Sequence, residues 1–442
     1  MSAGLDLLAE LKWRGLLHQA TDEEGLRAHL AAGAGLEGGR RGYVGFDPTA
    51  DSLTIGNLVP IILLRRLQLA GHTPVVLAGG GTGLIGDPSG KSAERQLMTE
   101  ERVRANVEAQ SRIFGQVLDF SEGVSNRALL VNNLDWLGRL GYLQVLREVG
   151  KHFSVNAMIQ KDSVRERLHG REQGISYTEF SYMILQAYDF LHLYREMGVT
   201  VQMGGSDQWG NIVGGVDLIR RWRHAHGGAE GEEVFALTAP LVTKADGGKF
   251  GKTEAGAVWL TAERTSPYAF YQFWLNTADA DLERFLKIFT FLPRERIEEL
   301  MAAHAANPGA REAHRALAAS VTEMMHGRTE REKAEAAARA LFSGDVRSLP
   351  EAMLEEVLAS APSSTHDKSL LGGEGMPLVD LLAQTSIASS KGQARQLLKE
   401  GSISVNGVKV EAEARVTAAD LLHGRIIALR RGKKSWHVTR WE

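Results

Sequence analysis

Residues 42–57 read GYVGFDPTADSLTIGN, and the reading of this stretch decides the fold. Tyr43, Val44 and Phe46 form a short β-rich run, interrupted by Gly45 and turned by Asp47-Pro48. Small and polar residues follow, then an apolar stripe of helical period: Leu58, Ile61, Leu64 and Leu67 share one face, and Arg65 and Arg66 lie off it. Pro60 fits because a first helical turn does not need its N–H. The pattern predicts a strand, a polar loop and a helix start in immediate succession. Helix starts carry free N–H groups and the positive end of the dipole, so an adenosine phosphate is the first ligand expected here. Taken alone, the stretch is equally compatible with an ordinary connection of an α/β protein.

Working outward, Gly71 stops the helix and residues 73–77 supply a second buried strand. The GGGTGLIGDPSGKS run that follows contains Gly81, Gly83 and Gly86 in G-x-G-x-x-G spacing. Asp87-Pro88 turns the chain where a dinucleotide fingerprint would enter a helix, and the Gly86 to Gly90 spacing is one residue short of a P-loop. Upstream, residues 5–17 read as an amphipathic helix and Thr21-Asp22 caps a second. Thr99 with Glu100 and Glu101 starts a helix running to about Leu118. In FSYMILQAYDF, Tyr182, Gln186 and Asp189 fall at i, i+4 and i+7, a polar stripe on a helix apolar in its other directions. Such a stripe is expected to face a pocket. VTVQMGGSDQWGNI reads as a strand with polar groups at its carboxyl end, where open α/β sheets bind ligands. KADGGKFGKT is a Gly-rich basic loop, either a solvated turn or a mobile closure over phosphates.

Composition sets the outer bounds. The chain has 442 residues, 43% of them hydrophobic and 24% charged, with a formal net charge of -3, so it is not a uniformly basic nucleic-acid coat. The absence of cysteine excludes disulfides and Cys-ligated zinc or iron–sulfur centres. Acidic residues near the start and the lack of a long apolar run predict a soluble, cytoplasmic protein without a signal peptide.

Domain limits follow from changes of pattern. An α/β domain is expected over 1–230. An α-helical domain with the basic loop follows over 231–345, where Gly327 and Gly344 act as helix stops, then a Ser/Gly-rich linker over 346–375 and a small α+β domain over 376–442. That last segment carries a net charge of +5 against -8 for the remainder. SSKGQARQLLKEG reads as a helix with Lys391, Arg395 and Lys399 at four-residue steps, and SISVNGVKV as a hairpin around Asn406-Gly407. A helix and a hairpin sharing a basic face suggest an RNA reader.

The motifs GFDPTADSLTIGN, TGLIGDPSGK, NNLDW, GKHFSVN, GISYTEFSYMILQAYDF, GGSDQWGN, KFGKT, SSKGQAR, VNG and LRRGKK together resemble bacterial tyrosyl-tRNA synthetases, class I aminoacyl-tRNA synthetases, over essentially the whole chain. The resemblance implies an α/β fold with a Rossmann-type parallel sheet, an α-helical domain and a C-terminal module of the ribosomal S-four type, with 1–230 as the Rossmann-type catalytic domain and a connective insertion in it at about 120–190. It also implies a homodimer, with GKHFSVN in the subunit contact. Its expected substrates are tyrosine, ATP with Mg²⁺, and tRNA(Tyr), with no dedicated protein metal site.

The resemblance also assigns residues. Tyr43 and Asp189 would bind the substrate phenol, so that phenylalanine would leave a buried polar pair unpaired. Asp87, Tyr182 and Gln186 would hold the α-ammonium group. Gly45, Asp47, Gly56, Asn57, Gly205, Asp207 and Gln208 would position adenosine, its ribose and the tyrosine carboxylate. Lys91, Arg95, Lys249, Lys252 and Thr253 would clamp pyrophosphate, with Thr49 as a donor to the γ-phosphate. Lys391, Arg395, Lys399, Arg430, Arg431, Lys433 and Lys434 would contact RNA. One position departs from the family signature: Thr54 stands where a histidine is usual, in Thr54-Ile55-Gly56-Asn57. Loss of such a phosphate donor typically costs about 1.5–4 kcal/mol in the transition state, so slowed activation, or an RNA-binding paralogue with impaired catalysis, is the alternative expectation. A nicotinamide-dependent dehydrogenase, resting on Gly81, Gly83 and Gly86, is a third and remote one.

Overall fold

The computed structural model describes residues 5–87, 97–161, 164–165, 168, 175–227, 233–248, 250–253, 256–359, 361–432 and 435–442. They form two compact units, Met1–Ser266 with Phe273–His326, and Pro267–Gln272 with Gly327–Glu442.

The first unit is built on a six-stranded sheet. Its strands are β1 (Gln19–Ala20), β2 (Arg41–Phe46), β3 (Thr73–Ala78), β4 (Leu129–Asn132), β5 (Val199–Gly205) and β6 (Phe235–Ala239), in the order β1-β6-β5-β2-β3-β4. All pairings are parallel except β1 with β6. Successive strands run outward from β2 through β3 to β4, then the chain returns to β5 on the other side. The strand order therefore reverses between β2 and β5, which opens a crevice at their carboxyl ends. β3 and β6 are buried along their whole length, as strands covered on both faces must be. The expected boundary at 230/231 does not hold, because Phe235–Ala239 is an interior strand paired to β5.

The helix Leu58–Leu69 follows β2 as the stripe predicts, but it is buried on more sides than one. Arg66, read from sequence as lying off the apolar face, is buried together with Arg14. Glu10 bonds both guanidiniums. Further donors reach the last carbonyls of the helix Asp279–Phe289 and its exit: Arg14 to Lys287 and Thr290 at 3.0 and 3.2 Å, and to Leu292 at 2.8 Å, and Arg66 to Thr290 at 2.7 Å, while Arg66 Nε has no partner among the described residues. Cations at a helix C-terminus complement its dipole. Burial, then the neighbouring Arg14, lowers the Arg66 guanidinium to about 9, partly offset by Glu10.

The second unit holds a five-stranded sheet in the order Val408–Lys409, Ile403–Val405, Ile426–Arg431, Ser435–Trp441, Ser363–His366. Its core includes Leu397, Leu398, Ile403, Ile427, Leu429 and Trp441. The predicted helix is present as Lys391–Lys399, capped by Ser390, and Asn406 and Gly407 turn the predicted hairpin with φ of 49° and 87°. The stretch read as a linker is not one throughout. Ser363–His366 is an edge strand parallel to Ser435–Trp441, and Ser364 Oγ bridges His366 Nε2 and His437 Nε2 at 2.7 and 2.9 Å. Small polar side chains can build an edge strand when a neighbouring strand satisfies them. Gly327 interrupts the helical run Glu312–Ser343 with a non-helical φ of 81°.

Removing Arg14 takes this donor from the Lys287 and Leu292 carbonyls and leaves Thr290 O with Arg66 alone. Arg14→Ala should lower the stability of this unit by about 2–4 kcal/mol, measured by urea denaturation. Arg27→Ala, which breaks an exposed ion pair with Asp6, should change it by less than about 1 kcal/mol.

Candidate active site

The crevice at the strand reversal is a cleft of about 600 Å³. Its walls bring together Tyr43, Gly45, Asp47, Thr49, Thr54, Gly56, Asn57, Asp87, Tyr182, Gln186, Asp189, Gly205, Asp207 and Gln208. These are residues singled out from sequence in four separate stretches. The walls also include residues that sequence reading passed over, chiefly Thr82, Asn133 and Gln202.

At the floor lies Asp189, 1% exposed, on the long helix Tyr177–Met197. Ser176 caps the start of that helix and Gly198 its end, with a φ of 63°. Asn133 Nδ2 and Trp136 Nε1 donate to the two carboxylate oxygens at 2.9 and 2.8 Å. Burial still dominates, and it raises the Asp189 carboxyl to about 7 against those two donors. Tyr43, 1% exposed on β2, presents a hydroxyl with no partner among the described residues. Burial and then the charge of Asp189 push that phenol well above its ordinary range, so it stays protonated. Asn133 and Trp136 come from NNLDW, whose adjacent amides and indole were the available signal.

A chain of hydrogen bonds runs from Asp189 toward the cleft mouth. Asn133 Nδ2 also donates to Thr82 Oγ1 at 3.0 Å, and its Oδ1 accepts from Gly81 N at 2.7 Å. Thr82 Oγ1 donates to Asp47 Oδ1 at 2.7 Å, and Tyr182 Oη donates to Asp47 Oδ2 at 2.9 Å. Asp47 thus has both oxygens engaged by the protein and acts as a positioning group between the two ends of the cleft. Because Tyr182 gives its proton to Asp47, its lone pairs remain free to accept. A Cβ at Gly79 would lie 2.2 Å from Asp47 Oδ1, so the close approach of β3 to this carboxylate requires glycine. The Oε1 atoms of Gln186 and Gln202 are buried without partners among the described residues, and Gln208 Nε2 donates to Asp87 Oδ2 at 2.9 Å.

At the other end, Thr54 caps a short 3₁₀ turn at Ile55–Asn57. Its backbone N–H and its hydroxyl both reach Asn57 Oδ1, at 3.0 and 2.9 Å. The backbone donor fixes the orientation of the amide, leaving Asn57 Nδ2 as the side-chain donor. Thr54 has a single O–H, and here it is directed to Asn57, so in this rotamer it offers no hydroxyl donor in place of the histidine usual at this position.

The segment after the basic loop is zipped onto this turn. Ile55 N donates to Val258 O at 2.9 Å and Leu260 N to Leu53 O at 2.8 Å. Gly251, with φ of 75°, lies against Ile55, and Phe250 stacks on Phe289 with ring centroids 5.1 Å apart. Lys252 is exposed, on a two-residue strand paired with Gly256–Ala257. Lys91, Arg95, Lys249, Lys433 and Lys434, and the side chain of Thr253, lie outside the described residues.

In the second unit, Arg395, Lys399 and Arg431 are exposed, while two of the expected RNA contacts are engaged elsewhere. Lys391 pairs with Asp380 at 2.8 Å. Arg430 lies over Trp436 and donates to the Phe342 and Ser343 carbonyls at 3.5 and 3.4 Å.

Residues 38–343 match the family described as tRNA synthetases class I (W and Y), and residues 354–439 match the tyrosine–tRNA ligase SYY-like C-terminal domain. The tyrosine–tRNA ligase of Bacillus caldotenax is 51% identical over 99% of this chain and 100% of its own length. That of Roseiflexus castenholzii is 49% identical over 98% and 99%. Among solved structures, a C-terminally truncated mitochondrial tyrosyl-tRNA synthetase from Aspergillus nidulans superposes with a TM-score of 0.68 at 29% identity, covering 76% of this chain and 94% of its own. The equivalent protein from Coccidioides posadasii gives 0.65 at 33%, covering 74% and 90%.

The Asp189 proton links this site to pH. The folded chain holds it up to about pH 7, whereas an unfolded chain releases it near 4. Between these values the folded state binds the extra proton, so this group makes the fold less stable as pH rises through the window. Asn133→Ala removes a donor that favours the carboxylate. The Asp189 titration, followed by carboxyl infrared absorption in difference spectra against Asp189→Asn, should then move further upward.

Proposed function

The chain belongs to the tyrosine–tRNA ligases of class I, and from that membership and the cleft we infer which of its residues carry each part of the reaction. The activity is that of the family: tyrosine is activated with ATP to tyrosyl-adenylate and pyrophosphate, and the tyrosyl group is then transferred to the 3′ end of tRNA(Tyr). The comparisons give no support to the alternative of a non-catalytic RNA-binding relative.

The observation that carries the residue assignment is the pairing, on one cleft floor, of a buried carboxylate with a buried unpartnered phenol. A substrate phenol placed between them donates to Asp189 and accepts from Tyr43, so both groups gain the partner their burial demands. Phenylalanine leaves both without it. The α-ammonium group is assigned to Asp87, Tyr182 and Gln186, one anion and two neutral acceptors. Gln208 and Gln202 reach the tyrosine carboxylate, and Gly45, Gly56, Gly205 and Asp207 the nucleotide.

In the activation step an oxygen of the tyrosine carboxylate forms a bond to the α-phosphorus of ATP, and the bond from that phosphorus to the bridging oxygen breaks to release pyrophosphate. A carboxylate needs no general base, so the rate rests on alignment and on donors aimed at the departing phosphates. Asn57 Nδ2 and Thr49 are the proposed donors on the static wall, with Lys91, Arg95, Lys249, Lys252 and Thr253 supplying the remainder from the basic loops. In the second step a ribose hydroxyl of the terminal adenosine attacks the carbonyl carbon and AMP departs. Mg²⁺ is proposed to arrive on the ATP phosphates, since Asp47 and Asp87 already accept from protein donors. Exposed Arg395, Lys399 and Arg431 suit contact with the RNA backbone.

A homodimer is supported by the apolar side chains exposed along one segment: Tyr142 at 62%, Leu143 at 79%, Leu146 at 43% and Val155 at 56%. Such a patch is expected to be covered, and GKHFSVN lies within it. Leu143→Asp should shift the sedimentation of the protein from dimer toward monomer.

Tyrosine-dependent ATP–pyrophosphate exchange tests the chemistry. Exchange with tyrosine and not with phenylalanine is expected, and Asp189→Asn should abolish the preference, because an amide turns one of the two accepting oxygens into an N–H₂ donor that faces another donor. Thr54→His should raise the exchange rate by about ten- to a thousandfold with tyrosine affinity unchanged. No gain would assign transition-state donation to Asn57, Thr49 and the basic loops.

A further inference from the structure

Away from the cleft, three side chains of the first unit converge. Asp279 begins the helix Asp279–Phe289, His304 lies in the last turn of Arg294–Ala306, and His314 in the first turn of the helix starting at Glu312. His314 Nε2 is 3.1 Å from Asp279 Oδ1 and His304 Nε2 is 3.7 Å from the same oxygen. One donor atom from each residue lies within 4.8 Å of the other two.

The environment of His304 is what an ordinary reading does not explain. It is 9% exposed, its Nδ1 has no partner among the described residues, and its Nε2 is too far from Asp279 for a hydrogen bond. A buried ring nitrogen without a hydrogen bond is expensive. His314, fully buried, also lacks a partner at Nδ1, while its Nε2 faces Asp279 and, at 3.1 Å, the Thr277 carbonyl. Burial, then the Arg311 charge, keeps the His314 imidazole below its usual range despite Asp279. A neutral ring is the form that ligates a metal.

We propose that Asp279, His304 and His314 form a binding site for a divalent transition metal, with Zn²⁺ the best fit. Ligand atoms about 2.0–2.2 Å from a tetrahedral ion stand roughly 3.3–3.5 Å from one another, and the two measured separations straddle that spacing. Two imidazoles and a carboxylate suit Zn²⁺ and disfavour Mg²⁺ or Ca²⁺, which take oxygen shells. The Asp279 side chain is 63% exposed, which gives the ion a route in and a water its fourth position. A bound ion ties the start of one helix to the turn joining the next two. A plain histidine–carboxylate pair accounts for His314 alone.

The test is direct titration of tag-free, full-length protein, first stripped with chelator, with Zn²⁺ in competition with a chromogenic chelator. Cobalt absorption reports the geometry. One Zn²⁺ per chain is expected, with affinity lower by about a hundredfold or more in both Asp279→Asn and His304→Gln, and a Co²⁺ adduct with the intense visible bands of a tetrahedral site. Asp279→Asn changes an exposed side chain, and circular dichroism verifies the fold of both variants. Failure to take up Zn²⁺, or uptake by both variants as tight as by the unaltered protein, overturns the proposal.

Discussion

A carboxylate shut away from water organises the first unit. Ionising Asp189 in that position is unfavourable, and two N–H donors only partly offset the loss of hydration, which is why its proton is held to about pH 7. Satisfying it fixes the turn after β4, because Asn133 and Trp136 must stand together above one residue of the Tyr177–Met197 helix. Asn133 then fixes Thr82, Thr82 fixes Asp47, and Asp47 fixes Tyr182. Four separate segments are thereby locked in register around the carboxyl ends of β2 and β5. In the proposed reaction the substrate phenol supplies the donor that this arrangement still lacks, so recognition and relief of desolvation are one event.

The opposite end of the cleft is governed by a smaller constraint of the same kind. The amide of Asn57 has two ends, and the backbone N–H of Thr54 claims the oxygen. Its N–H₂ group is left as a preoriented donor on the static wall, where the departing phosphates are proposed to pass. The hydroxyl of Thr54 reinforces this orientation, so threonine at this position sharpens a neighbour's geometry while lacking the reach and charge of histidine. The basic loop complements the wall from a different footing. Phe250 is held among aromatic rings and Gly251 rests on Ile55, whereas Lys252 projects into solvent. An anchored aromatic beside a free lysine is a suitable arrangement for charge that must be delivered only when phosphate is present.

Buried charge is handled differently in the remainder of the unit. Arg14 and Arg66 share Glu10 and spend their other donors on carbonyls at a helix end. His314 and His304 meet one exposed carboxylate and leave ring nitrogens without hydrogen bonds. The first arrangement engages its guanidinium nitrogens through Glu10 and backbone carbonyls, with Arg66 Nε alone left unmet among the described residues. The second leaves a nitrogen of each ring unmet beside an exposed carboxylate, the arrangement proposed to take a ligand.

The sequence by itself determined the local frame: the strand at Tyr43, the buried helix with Tyr182, Gln186 and Asp189 on one stripe, the Ser390-capped helix and the Asn406-Gly407 hairpin. Each of these is written in a short period or a turn residue, and periodicity is a property of neighbours along the chain. The likeness to a family extended this to the cleft residues. Only the tertiary structure decided which groups Asp189, Asp47 and Thr54 bind, that Arg66 is buried and Ser363–His366 joins a sheet, and that Asp279 meets two histidines from later helices. Those outcomes depend on contacts between segments far apart in sequence, where a polar residue's partner is chosen by the closure of the fold and no local pattern records it.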